Sequence, residues 1–519
     1  MPLRLRLLLL APLLAGCTLG PNFQASKPAS PDSWFSPRQN PAPAPAHASF
    51  PVATPIQPKW WDTFNDPVLS GLVLRVANSN LDVRAATTRI AQSRSQLRIT
   101  GASEYPTLNG NTAYTRERVS QNGVLSALGS PGGTPATQFN GATGTNGGIP
   151  VSTGRGPVAI PPFDLYQYGF DASWEVDLWG RVRRTVENAR ATLDASREAR
   201  NDTVLSSMAE VANDYMQLRG TQERLRIARQ NLASANNSVQ LTTDRYNRGL
   251  STELDLANAQ QQASDTGAII PQLEQQEQRL INAIGLLLGE YPGALQAQLA
   301  LPKATPLVPP LVPVGLPSEL AHRRPDIREA EAQLHAATAS IGAAEADFFP
   351  QVTLSGSVSI QALQFHQLGD WGSRQYGIGP SVSLPIFEGG RLRGTLALRQ
   401  GQQQEAAANY QRTVLAAFRD VDDALTAYAA EQRRRARLII SVAAARRALD
   451  LATMLYTQGL ADFLQVLTAQ RSLLSEQQQL ADSTATVCTD LVALYKALGG
   501  GWDAAGPLPP PAPAGGGAS

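Results

Sequence analysis

The sequence predicts an α+β membrane protein built from two tandem copies of one unit. Three observations support this fold class: a repeat at constant offsets, two very long stretches without proline, and short stretches in which apolar and polar residues alternate. The repeat is clearest between residues 178–260 and 388–470, which match at an offset of 210. Proline is absent from 163–270 and from 386–506, so each stretch can hold one long continuous helix.

The N-terminus has the layout of a signal peptide. Arg4 and Arg6 precede an apolar run at 7–14, which is too short to span a bilayer as a helix. A Leu-Ala-Gly-Cys motif ends at Cys17 and resembles a bacterial lipobox, in which the cysteine receives a diacylglyceryl group and becomes the first mature residue. Thr18 follows, and the absence of an aspartate there favours the outer membrane. The alternative is an ordinary secretory signal with a chance cysteine.

Residues 18–58 are rich in proline, alanine and serine, which predicts an extended segment over the surface. Helices are predicted after it at 68–103 and, in the second copy, at 317–347. These two stretches match at an offset of 244. The first copy therefore carries about 34 extra residues between Pro106 and Tyr166.

Four stretches alternate between apolar and polar residues with the period of a β-strand, at 107–119, 166–178, 352–360 and 376–386. They are about ten residues long and several are rich in aromatic residues, which is typical of the strands of membrane β-barrels. The alternative is a soluble sheet with one buried face. Four such strands on a chain with a predicted lipid anchor favour the barrel.

Four strands are too few to close a barrel, because the smallest membrane barrels have about eight. An open sheet edge is not stable in lipid. The chain is therefore predicted to share its barrel with copies of itself, and three protomers would supply twelve strands. Residues 120–156, rich in glycine, threonine and asparagine, form the long loop expected on the outer face.

The proline-free stretches predict long helices that turn back at a tip. The first runs from Arg181 to Arg248, and its apolar residues follow a heptad spacing. Glycine marks a reversal at 245–251, and a shorter helix is predicted at 252–288. The second copy repeats this hairpin. Two hairpins in each of three protomers make a hollow α-barrel of twelve helices, continuous with the twelve-stranded β-barrel.

The predicted organisation has six parts. They are a lipoprotein signal peptide at 1–16, an extended segment at 17–66, the first structural repeat at 67–290, a proline-rich equatorial connector at 291–316, the second structural repeat at 317–500, and a tail rich in glycine, proline and alanine at 501–519.

Composition argues against several classes of function. The chain has 44 Lys and Arg and 43 Asp and Glu residues, so no nucleic-acid partner is indicated. The four histidines show no metal-ligand spacing, and neither a nucleophile–base constellation nor a phosphate-binding loop is present, so we do not expect an enzyme. No cofactor is expected apart from the lipid on Cys17. The second cysteine, Cys488, is predicted to be a small buried hydrophobic residue.

Five short motifs, taken in order along the chain, resemble those of one family. They are Trp60-Trp61-x-x-Phe64, Trp174-Glu175-Val176-Asp177-Leu178-Trp179-Gly180-Arg181, Arg324-Pro325-Asp326-Ile327, Leu384-Pro385-Ile386-Phe387-Glu388-Gly389-Gly390-Arg391 and Leu494-Tyr495-Lys496-Ala497-Leu498-Gly499-Gly500-Gly501-Trp502. Over nearly the whole mature chain, the sequence resembles the outer-membrane factor family of TolC-like channels, and specifically its lipoprotein branch with OprM- and NodT-type members.

The resemblance implies a homotrimer in the outer membrane of a Gram-negative bacterium, anchored by lipid and inserted by its barrel, with a periplasmic tunnel. Such a channel is the exit duct of a tripartite efflux system. It works with a periplasmic adaptor and an inner-membrane pump, which we expect to be of the RND type. Drugs or other small molecules cross it passively, without chemistry.

The resemblance also implies a gate at the periplasmic helix tips. Asp255 and Tyr456 match positions that resemble a closing hydrogen bond between neighbouring hairpins of TolC, and a phenol that donates to a carboxylate makes a charge-assisted bond. Glu253 and Asp462 are further gate candidates, because a ring of charge at the entrance would come from Asp462, Glu253 or Asp255. The alternative is that Asp255 caps its helix and Tyr456 packs inside the tip.

Both tips are candidate contact sites for the adaptor. The residues concerned are Arg245, Tyr246, Arg248, Gly249, Gly459 and Leu460. Gln465 and Thr468 occupy positions of the second tip that are acidic in other members of the family, so cation selectivity is not carried over. For the two arginines, the alternative is a solvated tip with no partner.

Two other functions fit parts of the sequence. A type I protein-secretion channel uses the same architecture with a different pump, although the lipobox resembles the efflux branch. A lipid-anchored coiled-coil scaffold without a pore would use the long helices, but it has no use for the duplicated amphipathic strands.

Overall fold

The structure is a computed structural model that describes residues 18–25, 31–34, 49–118 and 162–505. Cys17, the signal peptide, the whole of the predicted outer loop and most of the tail lie outside these residues. The chain divides into two compact units. Unit 1 comprises Met1–Phe23, Gln96–Ala189 and Ala337–Gln403, and unit 2 comprises Gln24–Ser95, Arg190–Ala336 and Gln404–Ser519.

The elements follow the predicted order. The α-helices of the described residues are α1 (Pro67–Ser79), α2 (Leu81–Gly101), α3 (Arg181–Asn247), α4 (Glu253–Leu287), α5 (Gln296–Leu299), α6 (Leu320–Arg323), α7 (Pro325–Ala346), α8 (Arg391–Thr457) and α9 (Phe463–Ala497). The strands are β1 (Phe50–Val52), β2 (Thr107–Glu117), β3 (Phe163–Val176), β4 (Leu311–Pro313), β5 (Gln351–Ala362) and β6 (Arg374–Ser383).

The long helices agree with the predicted lengths to within two residues. Helices α3 and α8 each have 67 residues, and α4 and α9 each have 35. Both pairs agree with the offset of 210 in the sequence. No α-helix within the described ranges is both long enough and apolar enough to cross a membrane.

The helix predicted at 68–103 is in fact two helices, because Asn80 interrupts it. Its backbone is extended (φ −61°, ψ 133°), and its Oδ1 accepts hydrogen bonds from the N–H groups two and three residues further on, at 2.8 and 3.0 Å. Asn80 thereby caps the second helix. The helix predicted at 317–347 breaks at the corresponding residue, Arg324, because a residue that precedes proline avoids helical angles.

The stretch 18–58 was expected to lie extended over the surface, and the structure corrects this expectation. Trp34 is only 6% exposed, and its Nε1 donates to the carbonyl of Gly315 at 3.3 Å. The unpredicted strands β1 and β4 pair in parallel and satisfy backbone groups of this segment. The proline-rich composition concealed the few apolar side chains, such as Ile56, that are buried here.

The core of unit 2 explains two of the sequence motifs. Trp60 and Trp61 are fully buried. The Trp60 ring stacks on Tyr495 with centroids 5.3 Å apart, and its Nε1 donates to the carbonyl of Gly500 at 3.1 Å. A Cβ at Gly501 would lie 2.7 Å from that Nε1, so the glycine-rich motif after α9 leaves room for the tryptophan.

Unit 1 contains one antiparallel sheet with the strand order β2-β3-β5-β6. All four predicted strands are present, with ends that differ from the prediction by at most three residues. Strand β3 pairs with β5, which joins the two predicted hairpins into a single sheet. Among the described residues β2 and β6 are its edges.

One face of this sheet is apolar across all four strands. The register places Phe170 opposite Val358, and Val358 opposite Tyr376. These three side chains are 62%, 60% and 82% exposed. The other face is polar, with Asp171 opposite Ser357. An exposed apolar surface of this extent is the kind that another apolar phase covers.

Candidate functional site

The two helix tips of unit 2 have the same backbone design. After α3, the N–H of Leu250 donates to the carbonyl of Arg245 at 2.8 Å, and Gly249 has φ +72°. After α8, the N–H of Leu460 donates to the carbonyl of Leu455 at 2.9 Å. The corresponding glycine there, Gly459, has φ +76°. Each long helix therefore ends in a Schellman motif, which needs a residue with positive φ.

Asp255 caps the helix that follows the first tip. Its backbone N–H donates to Oγ1 of Thr252, and its Oδ2 accepts from the backbone N–H of Thr252, both at 3.2 Å. The Ser251 hydroxyl also donates to this Oδ2, at 3.1 Å. This reciprocal capping box is the local role that the sequence offered as an alternative to the gate. The neighbouring Glu253 is exposed.

The start of the second tip differs from the first. Asp462 occupies the N-cap position of α9, but its side chain makes no capping hydrogen bond and is exposed. The next residue, Phe463, corresponds to Glu253 in the repeat and is only 1% exposed. Its ring lies 5.4 Å from that of Tyr456. The second tip therefore has a buried aromatic ring at the position where the first tip has an exposed carboxylate.

Arg245 connects the two tips. Its guanidinium carbon lies 4.7 Å from the centroid of the Tyr456 ring, and its Nη1 donates to the carbonyl of Thr457 at 3.3 Å. A guanidinium over an aromatic face is attracted by the ring quadrupole. The sequence predicts that Arg245 lies at the tip but does not reveal this contact, because the repeat aligns Arg245 with Leu455 and such an alignment shows equivalent positions rather than contacts.

Tyr456 lies in a small apolar cluster at the tips and is 4% exposed. The buried members of this cluster are Ala259, Ala452, Tyr456, Phe463, Val466 and Leu467. The Tyr456 hydroxyl is buried and has no hydrogen-bond partner within the described chain. Asp255 and Tyr456 are thus not joined by a hydrogen bond in this arrangement.

The remaining predicted tip residues lie at the surface. Arg248 is exposed, Tyr246 is 41% exposed and Leu460 is 72% exposed. Further leucines beside them are also exposed, namely Leu250, Leu254 and Leu464. Gln465 and Thr468 are exposed as well. The tips therefore offer an apolar surface with basic residues next to it.

The two cysteines differ in what the structure says of them. Cys17 lies outside the described residues. Cys488 is buried, as predicted, and its thiol donates to the carbonyl of Pro306 at 3.3 Å. Burial raises the pKa of the Cys488 thiol to about 12, so the reactive thiolate is scarce at neutral pH.

Comparison with known proteins now decides the family. The family model described as "Outer membrane efflux protein" matches residues 72–290 and 316–500, which is most of the chain. The chain belongs to the outer membrane efflux protein family.

Relatives and solved structures agree with this assignment. The chain is 33% identical to the outer membrane protein OprJ of Pseudomonas aeruginosa over 498 residues, which cover 96% of this chain and 95% of OprJ. It is 31% identical to the probable outer membrane lipoprotein SilC of Salmonella typhimurium, over 94% of this chain and 97% of SilC. The structure of the outer-membrane channel OprN has 30% sequence identity and a TM-score of 0.82, and the match covers 94% of this chain and all of OprN.

The predicted family, function and location are thereby confirmed. The chain is an outer-membrane efflux channel of the TolC-like type from a Gram-negative bacterium. The family is one of transport components and not of enzymes. Neither the gate nor the lipid on Cys17 follows from family membership alone.

Proposed function

We propose that three copies of this efflux channel share one twelve-stranded barrel and one tunnel of twelve helices. The observation that carries this proposal is the sheet of unit 1, with four strands and a continuous exposed apolar face. Lipid would cover that face, with the polar face of Asp171 and Ser357 towards the water-filled interior.

The edges of the sheet require other copies. Strands β2 and β6 are the edges among the described residues, and unpaired backbone groups are not tolerated in a bilayer. Pairing of β2 in one copy with β6 in the next closes a ring. Three copies reach twelve strands, which exceeds the smallest membrane barrels.

The oligomer is tested by native mass spectrometry of the protein in detergent. The expected complex contains three chains. A protein that stays a single chain, while α-helical content shows it to be folded, would overturn the shared barrel.

The lipid on Cys17 supplies a second attachment to the membrane. It is supported by the lipobox resemblance and by the similarity to SilC, which is named as a lipoprotein. A single acylated cysteine binds membranes only weakly, so it supplements the barrel and does not replace it.

The tips are proposed to bind the partners of the channel. A periplasmic adaptor would meet the exposed leucines and Arg248, and through it the channel would receive small molecules from an inner-membrane pump of the RND type. Support comes from the family, whose members serve efflux, and from the exposed apolar surface at the tips. This family assignment favours efflux over protein secretion and over a scaffold without a pore.

The efflux function is tested in the bacterium that encodes the chain. Deletion of the channel is expected to raise the intracellular accumulation of a fluorescent pump substrate such as ethidium, and the wild-type chain should restore efflux. Unchanged accumulation of a panel of drugs and dyes would contradict the efflux role.

The gate is proposed to work through Tyr456. Its buried hydroxyl lacks a partner in the present arrangement, and an unsatisfied buried hydroxyl costs about 1–3 kcal/mol. Closing is proposed to keep Arg245 over the Tyr456 ring while the tips rearrange to give this hydroxyl an acceptor. Asp255 is the proposed acceptor, since the contacts described for its carboxylate involve only Oδ2. Glu253 and Asp462 would add negative charge at the entrance.

A further inference from the structure

Arg184, in the first turn of α3, is only 3% exposed. Its guanidinium binds the residues at the start of the described chain. Nε donates to the carbonyl of Leu19 at 3.0 Å, and Nη2 donates to the carbonyl of Gly20 at 3.3 Å and to Oδ1 of Asn22 at 2.7 Å. Nη1 pairs with the carboxylate of Glu187 at 2.8 Å, which balances the buried charge.

Glycines let the backbones approach each other around this arginine. A Cβ at Gly20, which has φ +85°, would lie 2.4 Å from Cα of Gly342. A Cβ at Gly342 would lie 2.7 Å from the carbonyl oxygen of Leu19. On the other side, a Cβ at Gly180 would lie 3.0 Å from Cα of Thr18. The segment therefore lies in a slot that larger residues would fill.

The slot lies where strands give way to helices. The N–H of Leu19 donates to the carbonyl of Trp179 at 3.2 Å, and Trp179 lies between the end of β3 and the start of α3. Nε1 of Trp179 donates to the carbonyl of Pro350 at 2.8 Å, between α7 and β5. If the strands cross the bilayer, this level is the periplasmic surface of the membrane.

The internal repeat is broken at two of the residues that form the slot. At the offset of 210 the counterpart of Arg184 is Gly394, and at the offset of 244 the counterpart of Gly342 is Arg98. The second copy thus has glycine in place of the arginine, and the first copy has arginine in place of the glycine. The chain has one N-terminus to hold. Of the two places that the repeat relates, only one has both the arginine and the helix glycine.

We propose that Arg184, Gly180 and Gly342 form an intramolecular binding slot for residues 18–22, and that this slot positions the lipid at the membrane surface. The ligand is the peptide that directly follows Cys17. A slot that holds Thr18 restricts where a diacylglyceryl group on the preceding residue can insert. Only this last step rests on the proposed lipidation.

The test compares two substitutions of glycine by alanine in helices of unit 1. Gly342→Ala places a methyl group against the carbonyl of Leu19, whereas Gly394→Ala places one where no atom lies within 4 Å. Alanine favours a helix over glycine at both positions, so neither variant should weaken its helix. Hydrogen–deuterium exchange is measured on the N-terminal peptide that covers residues 17–23 in the full-length protein in detergent.

Wild type and Gly394→Ala are expected to exchange the Leu19 amide slowly. Gly342→Ala should exchange it faster by roughly tenfold or more, because the segment loses its hydrogen bonds to Trp179 and Arg184. Arg184→Lys should fall between them, since lysine keeps the charge but not the planar fork. Equal exchange in wild type and Gly342→Ala would overturn the slot. The mass of the same peptide reports lipidation separately, so an unmodified Cys17 would refute the lipid while leaving the slot result valid.

Discussion

Single residues at the helix tips break the symmetry of the repeat. Tyr246 and Tyr456 are equivalent in sequence, but Tyr246 is 41% exposed and Tyr456 only 4%. Arg245 covers Tyr456, while the counterpart of Arg245 is Leu455. The two tips are thus held together by one residue of the first hairpin acting on the second.

Arg245→Ala should loosen the tips. A cation–π contact that is partly desolvated contributes about 1–2 kcal/mol, so the open population should rise by roughly tenfold. Entry of a large hydrophilic antibiotic such as vancomycin into the periplasm reports the change, as increased sensitivity of the cells. Arg447→Ala, in α8, is the matched control, since Arg447 is exposed and its replacement removes the same charge. Equal sensitivity of the two variants would show that the contact with Tyr456 does not hold the tip.

Cys488 and Cys17 can be told apart by counting thiols. Because Cys488 is buried and its pKa is raised to about 12, this thiol should not react with a thiol reagent at pH 8 in the folded protein. After denaturation, one thiol per chain should react if Cys17 carries a thioether-linked lipid, and two if it does not, because the chain has two cysteines. A rapid reaction of the folded protein at Cys488 would contradict its burial.

At the scale of elements, single side chains determine where some helices begin and end. The long helices could be predicted because heptad spacing and the absence of proline extend over many residues. The break at Asn80 was missed, because a helical pattern of apolar and polar residues does not distinguish an asparagine from any other polar residue. Its role depends on a tertiary contact, because Nδ2 also donates to the carbonyl of Leu287 at 2.8 Å.

Asn80→Ala should lower the free energy of unfolding by about 1–2 kcal/mol, through loss of the cap on α2 and of the bond to Leu287. Thermal unfolding followed by circular dichroism measures the effect. Asn78→Ala serves as the control, since Asn78 is exposed and, within the described part of the chain, its side chain bonds to Leu74 of its own helix. Its expected effect is within about 0.5 kcal/mol. Similar losses in both variants would refute the capping role of Asn80.

A charged residue should be harmful on one face of strand β5 and tolerated on the other. Val358 and Ser357 are adjacent, exposed and on opposite faces of the sheet. Val358→Lys should cost about 2–4 kcal/mol if its face meets the middle of the bilayer, and should reduce the amount of folded protein in the outer membrane. Ser357→Lys should be tolerated in the water-filled interior. Equal yields from both variants would mean that lipid does not cover the apolar face.

At the scale of the whole molecule, the strands and the long helices were predictable because each rests on a pattern repeated many times. The family was predictable because five specific motifs occur in order along the chain. The residues that were missed act through contacts between distant parts of the chain. Trp34 reaches Gly315 and Arg184 reaches Leu19, and no periodic pattern marks either pair. For Arg184 a signal did exist, since arginine and glycine exchange places between the two copies.

The central claim is that copies of this chain form a gated pore. Single-channel conductance of the detergent-purified protein in a planar bilayer tests it most directly, on wild type and on the double variant Asp255→Ala with Tyr456→Phe. We expect wild type to insert and conduct weakly and the double variant to conduct several-fold more, because the tips lose their closing bond. Equal conductance would refute the gate but keep the pore. Folded protein that neither inserts nor conducts would contradict the account as a whole.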